Sequence, residues 1–165
     1  MRNLHEKFDD LLAQANDEQQ QLIEQIVDRL LLHTAGETYR FPLNALIGTT
    51  GETIDDVGIV RVPNTQAIGN SLGYPHGGIL ATIADGAMGR IATEKARAHG
   101  KTVVTSNLHM HYLATTTADE LIATGSIIKE GRTVIVTDCT ITDSIGRELV
   151  YATATFHVIT PRTEK

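Results

Sequence analysis

The strongest constraint on the fold is a long central stretch of small and aliphatic residues that contains very few charges. From Ile79 to Ala92 the only ionisable side chains are Asp85 and Arg90. Apolar residues around the whole circumference are typical of a helix that lies in the core of a domain. A single carboxylate in such a helix needs a reason. Asp85 is expected either to accept hydrogen bonds from a loop or from a Ser or Thr across the core, or to take part in a reaction.

The start of the same helix carries a second candidate feature. His76 is followed by Gly77 and Gly78, and the amides of a first helical turn have no acceptor within the helix. These amides lie at the positive end of the helix dipole, where they can stabilise a developing oxyanion. The sequence therefore predicts an anion-stabilising helix start.

The distance between these two features has a consequence for assembly. Asp85 lies eight residues beyond Gly77, which corresponds to about 12 Å along an ideal helix, with the side chain rotated away from that amide. One carbonyl group cannot contact both in a single chain. If the two groups act on the same atom, two antiparallel helices of a homodimer must bring them together.

Length and composition limit the class of protein. The 165 residues, 41% hydrophobic and 21% charged, suffice for one globular domain with a hydrophobic core. The chain has 14 basic and 20 acidic residues, a net charge of −6, and no cluster of Lys or Arg, which argues against nucleic acid as a partner. A single Cys139, predicted to be an inert thiol, and the lack of a recognisable signal peptide or membrane span favour a cytoplasmic location.

Hydrophobic periodicity predicts an α+β protein in which an antiparallel sheet wraps one long helix. A hairpin of helices is predicted over residues 2–33, with Asn16 or Asp17 capping its second helix and Gly36 available for a left-handed cap. One strand is predicted around Val57 to Val62 and the long helix from His76 to about His99. Four further strands are expected at 102–113, 121–130, 133–142 and 148–159, and the turns between them favour hairpins between neighbours.

The last predicted strand indicates how the helix packs. Alternation divides it into an apolar face and a polar face. The apolar face consists of Val150, Ala152, Ala154, Phe156 and Val158. The two small alanines would let a helix lie close to a curved sheet. The N-terminal helices, in contrast, are expected to cover the main body or a second subunit, with docking of a partner as the alternative.

From Ile54 to Ile159 the chain resembles the hotdog-fold acyl-CoA thioesterases, in particular the PaaI-like group of phenylacetic acid degradation and hydroxybenzoyl-CoA thioesterases. The order of elements agrees, and one set of residues agrees in its spacing: Asn70, Gly73, His76, Gly77, Gly78 and Asp85. The resemblance implies a hotdog thioesterase domain at 37–165 behind a helical extension at 1–36. It also implies hydrolysis of an acyl- or aryl-CoA to acid and CoA by a homodimer or dimer of dimers.

Carried over residue by residue, the resemblance implies a division of roles. Asp85 would be the catalytic carboxylate, acting as general base on water or as nucleophile on the thioester carbonyl. Gly77 would supply the oxyanion amide. Asn70 and His76 would help to hold the thioester or the water, and Thr105 matches the hydroxyl that positions the water. No cofactor and no metal are implied, since CoA is part of the substrate.

Binding of the rest of the substrate is expected to involve Gly78, Arg90 and Arg132, with the two arginines at the pantetheine and nucleotide end. The chain departs from its relatives where many carry a basic residue and a proline after a Tyr-Leu pair. It has Ala114-Thr115 there, and Asn107 replaces a frequent acidic residue. One contact to a CoA phosphate is therefore absent or supplied elsewhere.

Three other interpretations were weighed from the same residues. A non-catalytic acyl-CoA-binding or regulatory protein would use the N-terminal helices to contact a partner. A hotdog enoyl-CoA hydratase or dehydratase would pair His76 with an aspartate, but the His-Phe-Pro arrangement of that group is missing. A metal site of His109, His111 and His157 lacks a carboxylate or Cys at matching spacing.

Overall fold

The computed structural model describes residues 2–39 and 41–161. The chain forms two compact units, Met1–Gly48 and Thr49–Lys165. The first contains the helices α1 (Leu4–Gln14), α2 (Asp17–Thr34) and α3 (Pro42–Ile47). The second contains the long helix α4 (Gly77–Arg97) and the strands β1 (Thr50–Ile54), β2 (Val57–Pro63), β3 (Thr102–Tyr112), β4 (Glu120–Glu130), β5 (Val134–Asp143) and β6 (Glu148–Ile159). None of the described helices has the length and hydrophobicity needed to cross a membrane.

Both long helices of the first unit begin with a capping box. The side chain of Asn3 accepts a hydrogen bond from the Glu6 amide at 2.9 Å, and the Glu6 carboxylate accepts one from the Asn3 amide at 3.0 Å. Asn16 and Gln19 repeat this arrangement at the same distances. Each box satisfies two amides that the helix cannot pair itself. The two predicted helices are therefore confirmed, with Asn16 as the cap of α2, whereas their packing as a hairpin stays a prediction.

The ends of helices in this unit follow local chemistry. Gly36 has a φ of +75° just past α2, which confirms the left-handed cap. Helix α3 lies between the predicted helices and the strand predicted around Val57 to Val62, where no helix was predicted, so its presence is a correction. Its signals are Pro42 at the first helical position and Gly48, whose φ is also +75°. Six residues are too few for a hydrophobic period to be recognised.

The six strands form one antiparallel sheet in the order β1-β2-β4-β5-β6-β3. The four strands after α4 lie where they were predicted, but the expected hairpin between β3 and β4 is wrong, since β3 pairs with β6 at the edge of the sheet. The reason lies in the connection between them. Asn64, just after β2, donates its amide to the Asp119 carbonyl at 2.7 Å and its side-chain NH₂ to the Ala118 carbonyl at 2.8 Å. These bonds direct the chain into β4 alongside β2.

Of the hairpin formed by β1 and β2, only β2 was predicted. Its two-residue turn is Asp55-Asp56, with φ of 48° and 65°, the left-handed conformation that such turns require and that Asn-Gly or Asp-Gly usually supplies. Aspartate tolerates a positive φ better than most residues other than glycine. The turn is also held by α4, because Lys95 Nζ donates to Asp56 Oδ1 at 2.8 Å, and this bond raises the pKa of Lys95.

Helix α4 rests directly on the backbone of two central strands. Gly58 of β2 and Gly125 of β4 lie opposite each other. A Cβ at Gly58 would lie 2.2 Å from the Ala87 carbonyl oxygen, and one at Gly125 would lie 2.8 Å from the Met88 amide nitrogen. Only glycine permits this approach. On β6 the predicted apolar face is confirmed, since Val150, Ala152, Ala154 and Phe156 are all buried.

Candidate active site

Asp85 extends from α4 toward the edge strand β3. Its carboxylate oxygen Oδ1 accepts a hydrogen bond of 2.8 Å from the Thr105 hydroxyl. The expectation of a buried carboxylate is corrected, because Asp85 is half-buried and Thr105 is exposed. The physical reason is that β3 has no strand beyond it among the described residues, so this side of the helix stays open. The structure thus brings together two residues predicted to share the site and leaves Oδ2 without a donor among the described residues.

The amides of Gly77 and Gly78, in the first turn of α4, differ in their hydrogen bonding. His76 is the N-cap, and its Nδ1 accepts a hydrogen bond of 2.9 Å from the Gly78 amide. The Gly77 amide has no acceptor among the described residues. The Gly77 carbonyl accepts a hydrogen bond of 3.0 Å from the Tyr112 hydroxyl. Of the two amides that the sequence offered to an oxyanion, Gly77 therefore remains available, whereas that of Gly78 is already occupied.

Asn70 builds the loop that precedes this helix. Its side-chain oxygen accepts hydrogen bonds from the Leu72 amide at 2.8 Å and from the Tyr74 amide at 3.2 Å. Its backbone carbonyl accepts from Gly73, whose φ of +78° closes the turn. Asn70 is half-buried, and its side-chain nitrogen donates to none of the described residues. Contact of Asn70 with a thioester or water stays a prediction.

The separation of the two reactive groups follows from the continuity of α4. Both Gly77 and Asp85 lie in this one helix, so that the amide and the carboxylate are about 12 Å apart along its axis. A thioester carbonyl is far smaller than this distance. If both groups act on one thioester, as predicted, one chain supplies only two half-sites, and a complete site requires another source for one of the two groups.

The two arginines predicted to bind the nucleotide lie elsewhere. Arg90 packs against β1, where a Cβ at Gly51 would lie 2.6 Å from its Nη2. Arg132 lies in the turn between β4 and β5 and lines a surface cavity of about 560 Å³ together with His99 and Lys101. The residues around this cavity include neither Asp85 nor Gly77. The roles of Arg90 and Arg132 in binding CoA stay predictions.

Sequence reasoning missed two polar residues that the structure makes prominent. Tyr112 was noted only for the residues that follow it, and its bond to Gly77 depends on how β3 lies against α4. Asp143 was placed only in a turn, yet its side chain is 2% exposed. Burial acts to raise the pKa of Asp143, but hydrogen bonds from Thr116, Arg147 and Ile145 outweigh it and hold the pKa below its usual value of 3.8.

The remaining candidates lie on the sheet. Burial raises the pKa of the Cys139 thiol from 9.0 to about 12, in keeping with an unreactive side chain. The rings of His109 and His111 pack edge to face at 4.6 Å, whereas His157 lies opposite Val104, farther along β3. Within residues 2–39 and 41–161, no three His, Cys, Asp or Glu side chains are grouped to hold a metal ion.

Comparison with known proteins points to one superfamily. Residues 72–150 match the model of the thioesterase superfamily. Over these residues the chain is similar to members of that superfamily. The long helix on a curved antiparallel sheet is the hotdog fold, as predicted, and the superfamily supports a thioesterase-type function for this chain.

Solved structures agree with the hotdog fold. The BH2602 protein from Bacillus halodurans, crystallised with CoA, has 29% sequence identity and a TM-score of 0.86, covering 94% of this chain and 100% of that protein. Thioesterase HI1161 from Haemophilus influenzae (20% identity, TM-score 0.66, 72% and 82% covered) shares the fold. So does a mutant of thioesterase PA1618 from Pseudomonas aeruginosa (19% identity, TM-score 0.69, 78% and 91% covered). No curated protein sequence matches the chain.

Proposed function

We propose that this protein is a PaaI-like thioesterase that hydrolyses an acyl- or aryl-CoA to a carboxylic acid and CoA, at a site shared by two subunits. The observation that carries the proposal is the state of the two half-sites on α4. Thr105 holds one carboxylate oxygen of Asp85, and none of residues 2–39 and 41–161 donates to the other or accepts from the Gly77 amide at the helix start. The superfamily match and the similarity to a protein crystallised with CoA support this chemistry.

The residues suit each step of thioester hydrolysis. Asp85 accepts a proton from a water molecule that attacks the carbonyl carbon, or attacks that carbon itself. The negative charge that develops on the carbonyl oxygen is stabilised by the Gly77 amide at the positive end of the helix dipole. The carbon–sulfur bond then breaks and the CoA thiolate leaves. Because a thiolate is a good leaving group near neutral pH, no general acid is needed at the sulfur.

A second copy of the chain is proposed to complete the site. Strand β3 is eleven residues long, and among the described strands it pairs with β6 alone, so its outer edge presents amides and carbonyls that none of these strands pairs. Val104 on this strand is 46% exposed, which adds apolar surface to be covered. An antiparallel partner at this edge would bring Gly77 of one copy toward Asp85 of the other, and pairing of such dimers into tetramers is part of the proposal.

The CoA end of the substrate is proposed to bind basic residues outside the reacting centre. Arg132, Lys101 and His99 line one cavity and could bind phosphate oxygens. Glu130 also lines it and lies 3.8 Å from His99, so the positive charge there is partly compensated. Arg90 at β1 is the alternative basic contact.

The first test is release of free thiol from a panel of acyl- and aryl-CoA substrates. We expect Asp85→Asn to lower kcat by about a hundredfold or more, since it removes the acid–base group. Asp119→Asn is the matched control, because Asp119 is an exposed aspartate in the turn before β4, and it should keep full activity. Equal turnover of all three proteins would exclude Asp85 from the mechanism. Saturable binding without thiol release, or hydration of an enoyl-CoA, would favour the alternative functions.

A mixing experiment tests the shared site. Gly77→Pro removes the amide hydrogen at the first helical position, where proline is compatible with the helix, and the extended backbone of His76 (ψ 132°) suits a following proline. Asp85→Asn and Gly77→Pro should each be inactive alone. Refolding them together in equal amounts should restore about a quarter of wild-type activity, because half of the dimers are mixed and each contains one intact site. Mixed dimers without activity would contradict the shared site.

A third measurement separates the two roles open to Asp85. A single turnover in heavy-oxygen water places the label in the Asp85 carboxylate if a covalent acyl-enzyme forms and water attacks its aspartyl carbonyl. Direct attack by water on the thioester leaves the peptide that contains Asp85 unlabelled. Mass spectrometry of that peptide reads the result.

A further inference from the structure

Strand β3 contacts both half-sites of α4 through hydroxyl groups. The Thr105 hydroxyl donates to Asp85 at 2.8 Å, and the Tyr112 hydroxyl donates to the Gly77 carbonyl at 3.0 Å. The first bond holds the proposed catalytic carboxylate. The second reaches the residue whose amide is the proposed oxyanion donor. One edge strand therefore fixes the position of both reactive ends of the helix.

This double contact depends on an irregularity in the strand. Thr105 and Tyr112 are seven residues apart, and in a regular strand residues separated by an odd number face opposite sides. The register shifts between Thr105 and Asn107, so that Ser106 is an extra, unpaired residue and its hydroxyl donates to the Thr155 carbonyl at 2.9 Å. The bulge restores the same face to both residues.

The hydrogen bond from Tyr112 is made to the Gly77–Gly78 peptide group, which also forms a hydrogen bond through its N–H. The Gly77–Gly78 peptide has its carbonyl bound by the Tyr112 hydroxyl and its N–H bound by His76 Nδ1 at 2.9 Å. Two successive glycines have the greatest backbone freedom of any pair, and they begin a helix whose first turn lacks internal partners. The two side chains supply the restraint that the glycines lack.

The peptide on the other side of Gly77 is held as well. The His76 carbonyl accepts hydrogen bonds from the Ile79 amide at 2.9 Å and from the Leu80 amide at 3.1 Å. The Gly77 N–H belongs to this His76–Gly77 peptide, so these two bonds fix its plane directly. The fixed Gly77–Gly78 peptide also limits rotation about the Gly77 backbone, and the N–H thus keeps a defined direction out of the helix start. A donor that is oriented before the reaction stabilises the oxyanion without reorganisation.

We infer that Tyr112 is a positioning residue for thioester hydrolysis, which fixes the Gly77–Gly78 peptide jointly with His76 and so orients the Gly77 amide. This inference rests on the proposed function. It assigns Tyr112 no contact with the reacting atoms. It also assigns His76 the role of hydrogen-bond acceptor for Gly78, in place of a proton-transfer role.

The test compares two matched substitutions. Tyr112→Phe keeps the ring, which lies 3.5 Å from the Cβ position of Gly77, and removes only the hydroxyl. We expect kcat to fall about fivefold, the scale of one neutral hydrogen bond, with KM within about twofold of wild type and an unchanged unfolding midpoint. Tyr151→Phe is the control, because its hydroxyl lies 3.5 Å from Asp138 on the other side of the sheet, and both kcat and KM should be unaffected.

A second pair of variants tests the hydrogen bond between His76 and the N–H of the same Gly77–Gly78 peptide. His76→Ala removes the acceptor of the Gly78 amide, whereas His76→Asn retains a side-chain acceptor suited to a helix N-cap. We expect His76→Asn to keep several times the kcat of His76→Ala. Equal losses in the two variants would indicate a proton-transfer role and overturn this part of the inference.

The outcomes separate the inference from the function on which it rests. Unchanged kcat in Tyr112→Phe, or a raised KM with kcat intact, would overturn the positioning role while an inactive Asp85→Asn still upheld the thioesterase. A wild-type protein that released no thiol from any substrate would overturn the proposed function itself. A lower kcat in Tyr112→Phe with KM and Tyr151→Phe unaffected supports both.

Discussion

Two aspartates of this chain lie in opposite environments, and the contrast distinguishes a structural carboxylate from one proposed to be catalytic. Asp143, at the end of β5, is 2% exposed and accepts three hydrogen bonds: from the Thr116 hydroxyl at 2.7 Å, the Arg147 amide at 2.8 Å and the Ile145 amide at 3.1 Å. Asp85 is half-buried and accepts one described bond, from Thr105.

The difference concerns how much of the acceptor capacity is used. A carboxylate that is buried must be satisfied by donors, and Asp143 meets this requirement on both oxygens, which leaves nothing for a substrate. Asp85 has one oxygen held in place by Thr105, and the other accepts no hydrogen bond from the part of the chain that the structure describes. Orientation combined with unused capacity is what a general base or nucleophile needs. The two residues should therefore respond in opposite ways to the same substitution.

The largest expected effects come from replacing each aspartate by alanine. Asp85→Ala should lower kcat by about a hundredfold or more and leave the midpoint of thermal unfolding unchanged. Asp143→Ala leaves three donors without their acceptor, so the unfolding midpoint should fall by several degrees while kcat measured well below it is retained. Thermal unfolding and thiol release on both proteins test this. A drop in the unfolding midpoint for Asp85→Ala as large as that for Asp143→Ala would make Asp85 structural.

A smaller loss of kcat is expected when the hydrogen bond from Thr105 of β3 to Asp85 is removed. Thr105→Val keeps the shape of the side chain but donates no hydrogen bond, so the carboxylate loses its fixed orientation. We expect kcat to fall about tenfold, between the loss of a hydrogen bond and the loss of the carboxylate itself. Thr153→Val on the other face of the sheet is the control. If both variants kept wild-type kcat, Thr105 would have no part in orienting Asp85.

Acid should affect stability through Asp143. Its pKa is lower in the folded protein than the usual 3.8, so its contribution is fully present above that value and is lost as the pH falls through the lower folded pKa. The urea midpoint should decline as the pH falls below about 4, and less steeply in Asp143→Asn than in wild type. Parallel declines would mean that Asp143 makes no contribution to the acid sensitivity.

The smallest expected effect concerns Cys139. The thiol is 1% exposed, and burial raises its pKa to about 12, so almost no thiolate is present near neutral pH. A disulfide reagent should find no reactive thiol in the native protein and one thiol per chain in denaturant. Rapid labelling of the native protein would contradict this, and would also add a background to the thiol-release assay.

The elements with local signals were predictable. Asn16 and Gln19 form a capping box, Gly36 ends α2, and α4 and the strands after it follow from hydrophobic period. The pairing of β3 with β6 was not predictable, because it depends on Asn64 binding a segment more than fifty residues away in sequence. The turn at Asp55 was missed since aspartate is an unusual choice for positive φ.

The site divides in the same way. The sequence by itself determined the candidate groups, because the composition of α4 isolates Asp85 and because two glycines at a helix start leave an amide unpaired. Only the tertiary structure decided that Asp85 is accessible and that Thr105 and Tyr112 both face α4. The exposure of Asp85 depends on which strand lies at the sheet edge. The orientation of Thr105 and Tyr112 toward α4 depends on one extra residue in β3, Ser106. Both are properties of contacts between distant segments, which no local pattern of residue types encodes.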